Sequence, residues 1–240
     1  MPLMSSPKTR PAPGFKSRAK QWVDRIAAYV LDGDAHDIKR VLQRRALDET
    51  ADFVASHMPL VTPYPDRFAL YEATLKQVTI PGMICEFGVF KGESINYIAE
   101  ILSNADVYGF DSFEGLPEDW RAEVKAGHFK MQQLPAVRPN VRLVQGWFDK
   151  SLPAFLENHP EPAAYLHIDS DLYSSAKTIL DLFASRIRPG TVIVFDEFFN
   201  YPGWRQGEYK AFEEFVAAHG TQFDYIGYSA RDEQAAIVIK

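Results

Sequence analysis

At 240 residues, 46% of them hydrophobic, the chain is long enough for one α/β domain with a sizeable core and an N-terminal addition. A formal net charge of −6 argues against nucleic acid or an anionic membrane as a main partner, because phosphate binding needs clustered Lys and Arg. The single cysteine, Cys85, excludes a disulfide framework and a CxxC metal site, and its place in an apolar run reads as a small buried core residue. No apolar run is long enough to span a membrane, and none precedes Trp22 as a signal peptide would need. The expectation is a cytoplasmic enzyme.

From Met1 to about Lys16 the chain holds Pro2, Pro7, Pro11, Pro13 and Gly14 among Ser and Lys, and a mobile tail is expected. Trp22, Ile26, Tyr29 and Val30 then recur at helical spacing. A second helical stretch runs from Ile38 to about His57, with Val41, Leu42, Ala46, Phe53 and Val54 as apolar positions. Both precede the first strand and belong to no βαβ unit. They are expected to pad the core or a dimer interface, or to close over the site as a lid. The organisation is therefore a tail over residues 1–16, a helical lid or oligomerisation segment over 17–60, and an α/β domain over 61–240.

Pro59, Pro63 and Pro65 break helical continuity, and Asp66 to Val78 resumes a helix. Ile80-Pro81-Gly82 turns the chain into a strand, Met83 to Phe87, interrupted only by Glu86. Gly88 and Gly92 follow, and then Ile95, Ile98, Ile101 and Leu102 at helical spacing. This is strand, tight glycine turn, helix. Glycine permits positive φ and close backbone approach, and the helix N-terminus offers free N–H groups to an anion. The spacing is E-x-G-x-x-x-G rather than G-x-G-x-x-G. It disfavours a dinucleotide pyrophosphate and favours a smaller anionic group, such as the carboxylate of S-adenosylmethionine (SAM). The alternative is an ordinary strand-to-helix turn.

A second strand, Asp106 to Phe113, carries Asp111 about 20 positions past the glycine turn, where acidic residues in nucleotide-binding α/β folds accept from ribose hydroxyls. An acidic helix cap is the alternative. Residues up to Asn140 read as irregular. Val141 to Val144 is a third strand, and Gly146-Trp147-Phe148 at its end offers a flat wall for an adenine ring, or core. The fourth strand, Ala163 to Asp169, ends in Asp169-Ser170-Asp171. The fifth, Thr191 to Phe195, ends in Asp196-Glu197. Unpaired buried charge is expensive, so such strand ends are poor candidates for a purely stabilising role. Two acidic clusters at one edge of a parallel sheet, the edge where such sheets bind ligands, supply hard oxygen donors for Mg2+. Gly207 to His219 reads as a helix. The strands Phe223–Tyr228 and Ala235–Ile239 are joined too closely for a crossover and predict an antiparallel hairpin.

Five βα units followed by a hairpin resemble the class I SAM-dependent methyltransferases: a doubly wound, mostly parallel, seven-stranded Rossmann-like sheet. The motifs Cys85–Ser94, Phe110–Pro117, Gly146–Phe148, His167–Tyr173 and Asp196–Phe198 are similar to those of the macrocin O-methyltransferase family, as is the approach helix with Thr62, Arg67 and Leu70. The resemblance runs from about Thr62 to Lys240. It implies Mg2+-dependent transfer of a methyl from SAM to a hydroxyl of a small, sugar-bearing acceptor. By motif position, Asp169, Asp196 and Glu197 would hold the metal and Asp171 would be the general base. Cofactor contacts would come from Glu86, Phe87, Gly88, Gly92, Ser94, Asp111, Ser112, Gly146, Trp147 and Asp169. The family usually carries two aspartates where this chain has Asp196-Glu197. Glu is a longer ligand of the same charge, so metal binding is expected to survive with altered geometry.

Three other readings bear on the same residues. A metal-dependent methyltransferase of a catechol-like phenol would use Phe113, Trp120, Trp147 and Trp204 as an aromatic pocket. A non-catalytic relative serving as scaffold should have lost the glycine turn or the acidic clusters, and both are intact. A dehydrogenase is disfavoured by the missing G-x-G-x-x-G.

Overall fold

The computed structural model describes residue 20, residues 22–25 and residues 36–240. The tail expected over residues 1–16 and the apolar positions Ile26, Tyr29 and Val30 lie outside the described residues. The chain forms two compact units, residues 1–45 and residues 46–240. In the first, residues 22–25 are helical. Helix α1 (Ile38–His57) begins there and ends in the second unit, where its Ala46, Thr50 and Phe53 are buried. The Phe53 ring packs edge-on against Trp204, Tyr209 and Tyr225.

The second unit continues with β1 (Pro63–Tyr64), α2 (Arg67–Leu75), β2 (Met83–Phe87), α3 (Glu93–Ile101), β3 (Val107–Asp111) and β4 (Val141–Gln145). Then come α4 (Phe148–Asn158), β5 (Ala163–Ile168), α5 (Tyr173–Phe183), β6 (Val192–Phe195), a 3-10 turn (Trp204–Gln206), α6 (Glu208–His219), β7 (Phe223–Ser229) and β8 (Ala235–Ile239). The strands form one sheet in the order β1-β7-β8-β6-β5-β2-β3-β4. All pairings are parallel except those of β8, which runs against both β6 and β7.

The mostly parallel sheet and the terminal hairpin are as expected, but the sheet has eight strands, not seven. The additional strand, β1, is a parallel partner of β7 at the sheet edge. Proline lacks the N–H a ladder needs, yet an edge tolerates it. The Tyr64 carbonyl still accepts from the Ala230 N–H at 2.8 Å. Two residues are too few to carry a period in sequence, so the prolines there read as breakers alone. The expectation of five βα units also needs correction, since no helix lies between β3 and β4. Strand β3 ends at Asp111, short of Phe113, whose positive φ of 57° takes the chain out of the sheet. The crossover is a loop closed on itself, with the Leu116 N–H donating to His128 O and the Gly127 N–H to Leu116 O, both at 2.9 Å.

Strands β2, β5 and β6 are buried at every position, as central parallel strands covered on both faces must be. Their two faces feed two cores. One joins Phe110, Phe195 and Phe198 to α4, α5 and α6; the other joins Val107, Tyr165 and Val194 to α2 and α3. This doubly wound arrangement leaves the C-terminal strand ends free of helix packing, and β2 through β6 all deliver their following residues to that edge.

Asn140 ties the far end of this layer. Its side-chain amide donates to the carbonyls of Ala99, Leu102 and Ala105 at 3.0–3.1 Å, capping α3. Asn140→Ala leaves these carbonyls without that donor and is expected to cost about 1–3 kcal/mol, read as a lower urea midpoint at unchanged slope.

Candidate active site

The turn after β2 is set by one glycine. Gly88 has φ 95°, and a Cβ there would lie 1.7 Å from the carbonyl oxygen of Asp169. Glycine lets the turn press against the end of β5, where the Asp169 N–H donates to Phe87 O at 2.9 Å. Asp111 holds the same turn. Its Oδ2 accepts from the N–H groups of Val89 and Phe90 at 2.9 and 2.8 Å, and Oδ1 from the Phe113 N–H at 2.7 Å. A carboxylate offers about four acceptor positions, so roughly one remains for an outside donor such as a ribose hydroxyl.

Glu86 and Ser94 lie in the interior. The Ser94 hydroxyl donates to Glu86 Oε1 at 3.1 Å, and Glu86 Oε2 lies 2.9 Å from His167 Nδ1. The imidazole spans to Asp196, with Nε2 3.5 Å from Oδ1, an ion pair too long for a hydrogen bond. Burial works against a charged His167, but Asp196 and Glu86 outweigh it and lift its pKa to about 10. Asp196 also accepts the Tyr71 hydroxyl at 2.6 Å. Burial raises its pKa, yet His167, Tyr71 and Arg67 together hold it below the ordinary carboxylate value.

Beside this pair stand three further carboxylates. Burial, with Asp196 nearby, pushes Asp169 and Glu197 well above the usual carboxylate range. Burial and Asp196 lift Asp171 to about 7 against the pull of Arg121. Donor atoms of Asp169, Asp171 and Glu197 lie within 4.8 Å of one another, as do those of His167, Asp169 and Asp196. Asp169 is thus shared, while the expected trio of Asp169, Asp196 and Glu197 is divided between the two groups. These residues fit a divalent cation. Asp169, Asp171, Asp196 and Glu197 offer hard oxygen donors, and Glu197 Oε2 is buried with no partner.

A cavity of about 300 Å³ opens on this edge. Of the residues expected to bind or react, Gly88, Asp111, Ser112, Gly146, Trp147, Asp169, Asp171, Asp196 and Glu197 line it. Glu86, Phe87, Gly92 and Ser94 do not: Phe87 stacks on Phe110 in the core, and Gly92 caps α3 in the left-handed region. Trp120 and Trp147 form part of the aromatic wall, but Phe113 and Trp204 are core residues. Phe90, Phe129 and Arg67 also line the cavity and were not legible as site residues. Arg67 sits on α2, before the first strand of the nucleotide-binding pattern, and pairs with Glu93 at 2.7 Å. Phe90, Phe129 and Asp171 all take positive φ, which concentrates backbone strain on the cavity wall.

The crossover loop is pinned beside this wall. Arg121 pairs with Glu233 at 2.6 Å, and its guanidinium lies 3.7 Å from the Trp120 ring centroid and 4.2 Å from that of Tyr201.

Residues 85–198 match the sequence profile of a methyltransferase domain. The match spans a little under half of the chain. Within it lie the glycine turn, Asp111, the crossover loop and both acidic strand ends. A curated relative, the 8-demethyl-8-(2,3-dimethoxy-α-L-rhamnosyl)-tetracenomycin-C 4'-O-methyltransferase of Streptomyces olivaceus, is 28% identical over 144 residues, 50% of this chain and 54% of that protein. The chain therefore matches about half the length of that relative. Among solved structures, the calicheamicin methyltransferase CalS11 superposes with a TM-score of 0.60 at 20% identity, covering 84% of this chain and 93% of that one. The O-methyltransferase NovP gives 0.50 at 23% identity, covering 70% and 75%. At these identities the two structures show a shared fold and nothing further.

Proposed function

We propose that the chain transfers a methyl group from SAM to a hydroxyl on a sugar of a glycosylated natural product, with a divalent cation, Mg2+ in the cell, at the acidic strand ends. The observation that carries the reading is one cavity lined by the glycine turn, the acidic end of β3 and the carboxylates that follow β5 and β6. The methyltransferase profile and the sugar O-methyltransferase relative support the same assignment.

In this reading Gly88 and Asp111 receive SAM, and Trp147 flanks its base. Asp169, Asp196 and Glu197 would hold the cation, which supplies charge that acidifies a coordinated hydroxyl and fixes its place. Asp171, beside them, would take the proton from the acceptor hydroxyl. The aromatic side chains of Phe90, Trp120 and Phe129 would wall the acceptor from water, and Arg67 would add the positive charge near Asp196. We infer further that the helical segment over residues 17–60 serves as lid or as dimer contact, and that the protein works in the cytoplasm.

The test is methyl transfer from labelled SAM to a panel of glycosylated natural products and catechols. Transfer to sugar hydroxyls that stops with EDTA and returns with Mg2+ is the expected result. Preference for catechols would move the acceptor class to phenols, and a rate indifferent to EDTA would end the metal assignment.

A further inference from the structure

We infer that Glu208 is the positioning residue of the acidic site: its buried carboxylate spans the loops after β5 and β6 and holds their metal-binding carboxylates in register. This rests on the metal reading above.

Glu208 is the first residue of α6 and is fully buried. Its Oε1 accepts from both the backbone N–H and the hydroxyl of Ser170 at 3.1 Å. Its Oε2 accepts from the Glu197 N–H at 3.2 Å. Ser170 lies between Asp169 and Asp171, and Glu197 follows Asp196. One side chain therefore bridges the two segments that carry all four carboxylates. Neither oxygen lacks a donor, and Glu208 does not line the cavity. It acts through its neighbours rather than on a ligand.

The approach to this position is built for close packing. A Cβ on Gly207 would meet the Tyr201 hydroxyl at 2.1 Å, so glycine lets the chain enter α6 beside the loop after β6 without displacing that side chain. A buried carboxylate is costly unless donors meet its oxygens. Three hydrogen bonds to two loops are what that cost secures. Without the clamp, the segments after β5 and β6 would lose the shared anchor beside which Asp169, Asp171 and Glu197 keep donor atoms within 4.8 Å.

The test measures Mn2+ binding by calorimetry on the full chain, with SAM binding measured in parallel. Glu208→Gln keeps the shape but replaces one acceptor by an NH2 donor that faces N–H. Glu208→Asp keeps the charge and shortens the reach by one carbon. Both variants are expected to bind Mn2+ about 10–100-fold more weakly, as loss of a residue orienting metal ligands does, with SAM affinity unchanged. If Glu208→Gln does not fold by circular dichroism, Glu208→Asp carries the test. Wild-type affinity in Glu208→Asp would mean that charge alone matters and would overturn the clamp. A wild-type chain that binds no Mn2+ would overturn the metal reading and the clamp with it.

Discussion

Asp171→Asn is expected to lower kcat by roughly 10²–10⁴-fold, the worth of a positioned general base, and to leave SAM and Mg2+ affinity close to wild type. Asp171 occupies a position unlike that of its neighbours. It has φ 63°, lines the cavity and follows the Ser170 residue held by Glu208. Its carboxylate is also within 4.8 Å of those of Asp169 and Glu197, close enough to be a ligand instead. Asp196, the competing candidate for third ligand, accepts the Tyr71 hydroxyl on Oδ1 and faces His167. Metal titration with single-turnover methyl transfer separates the roles. A base at Asp171 predicts slow transfer with metal retained in Asp171→Asn, and lost metal in Asp169→Asn. Collapse of metal binding in Asp171→Asn with the rate retained at saturating Mg2+ would exchange the roles of Asp171 and Asp196.

Gly88→Ala is expected to cost about 2–6 kcal/mol, combining positive-φ strain with overpacking, and to abolish measurable SAM binding. The added methyl meets a backbone carbonyl oxygen at 1.7 Å, so no side-chain rotation can relieve it. Either the turn after β2 or the end of β5 must move. The first lies beside the Val89 and Phe90 N–H groups that Asp111 holds, and the second carries Asp169. Gly203→Ala is the control. It too has positive φ, at 86°, but its Cβ would meet nothing within 4 Å, so strain of about 1–3 kcal/mol acts alone. Urea midpoints of both variants and calorimetry with SAM check the difference. A Gly88→Ala protein as stable as Gly203→Ala, with SAM affinity intact, would refute the close approach.

By itself the sequence determined what depends on local period and on chain length. The apolar runs of β2, β5 and β6 are legible because strands buried on both faces need continuous hydrophobic residues. The hairpin is legible because Ala230 to Gln234 cannot span a crossover. Acidic strand ends and the glycine turn announce themselves because buried charge and positive φ are both costly without use. Only the tertiary structure decided who partners whom. Glu86 reads as a ligand-facing acid in the chain, but β2 lies beside β5 with Glu86 opposite His167, so its charge is met inside the sheet. Strand β1 exists only because β7 offers an edge to two residues that have no pattern of their own. Arg67 and Glu208 reach the site from helices on opposite faces of the sheet, 141 positions apart in number, and strand order alone brings them to one edge. Local sequence encodes the period of each element; the contacts of a buried polar side chain depend on which strands become neighbours, and that is settled by packing the whole sheet.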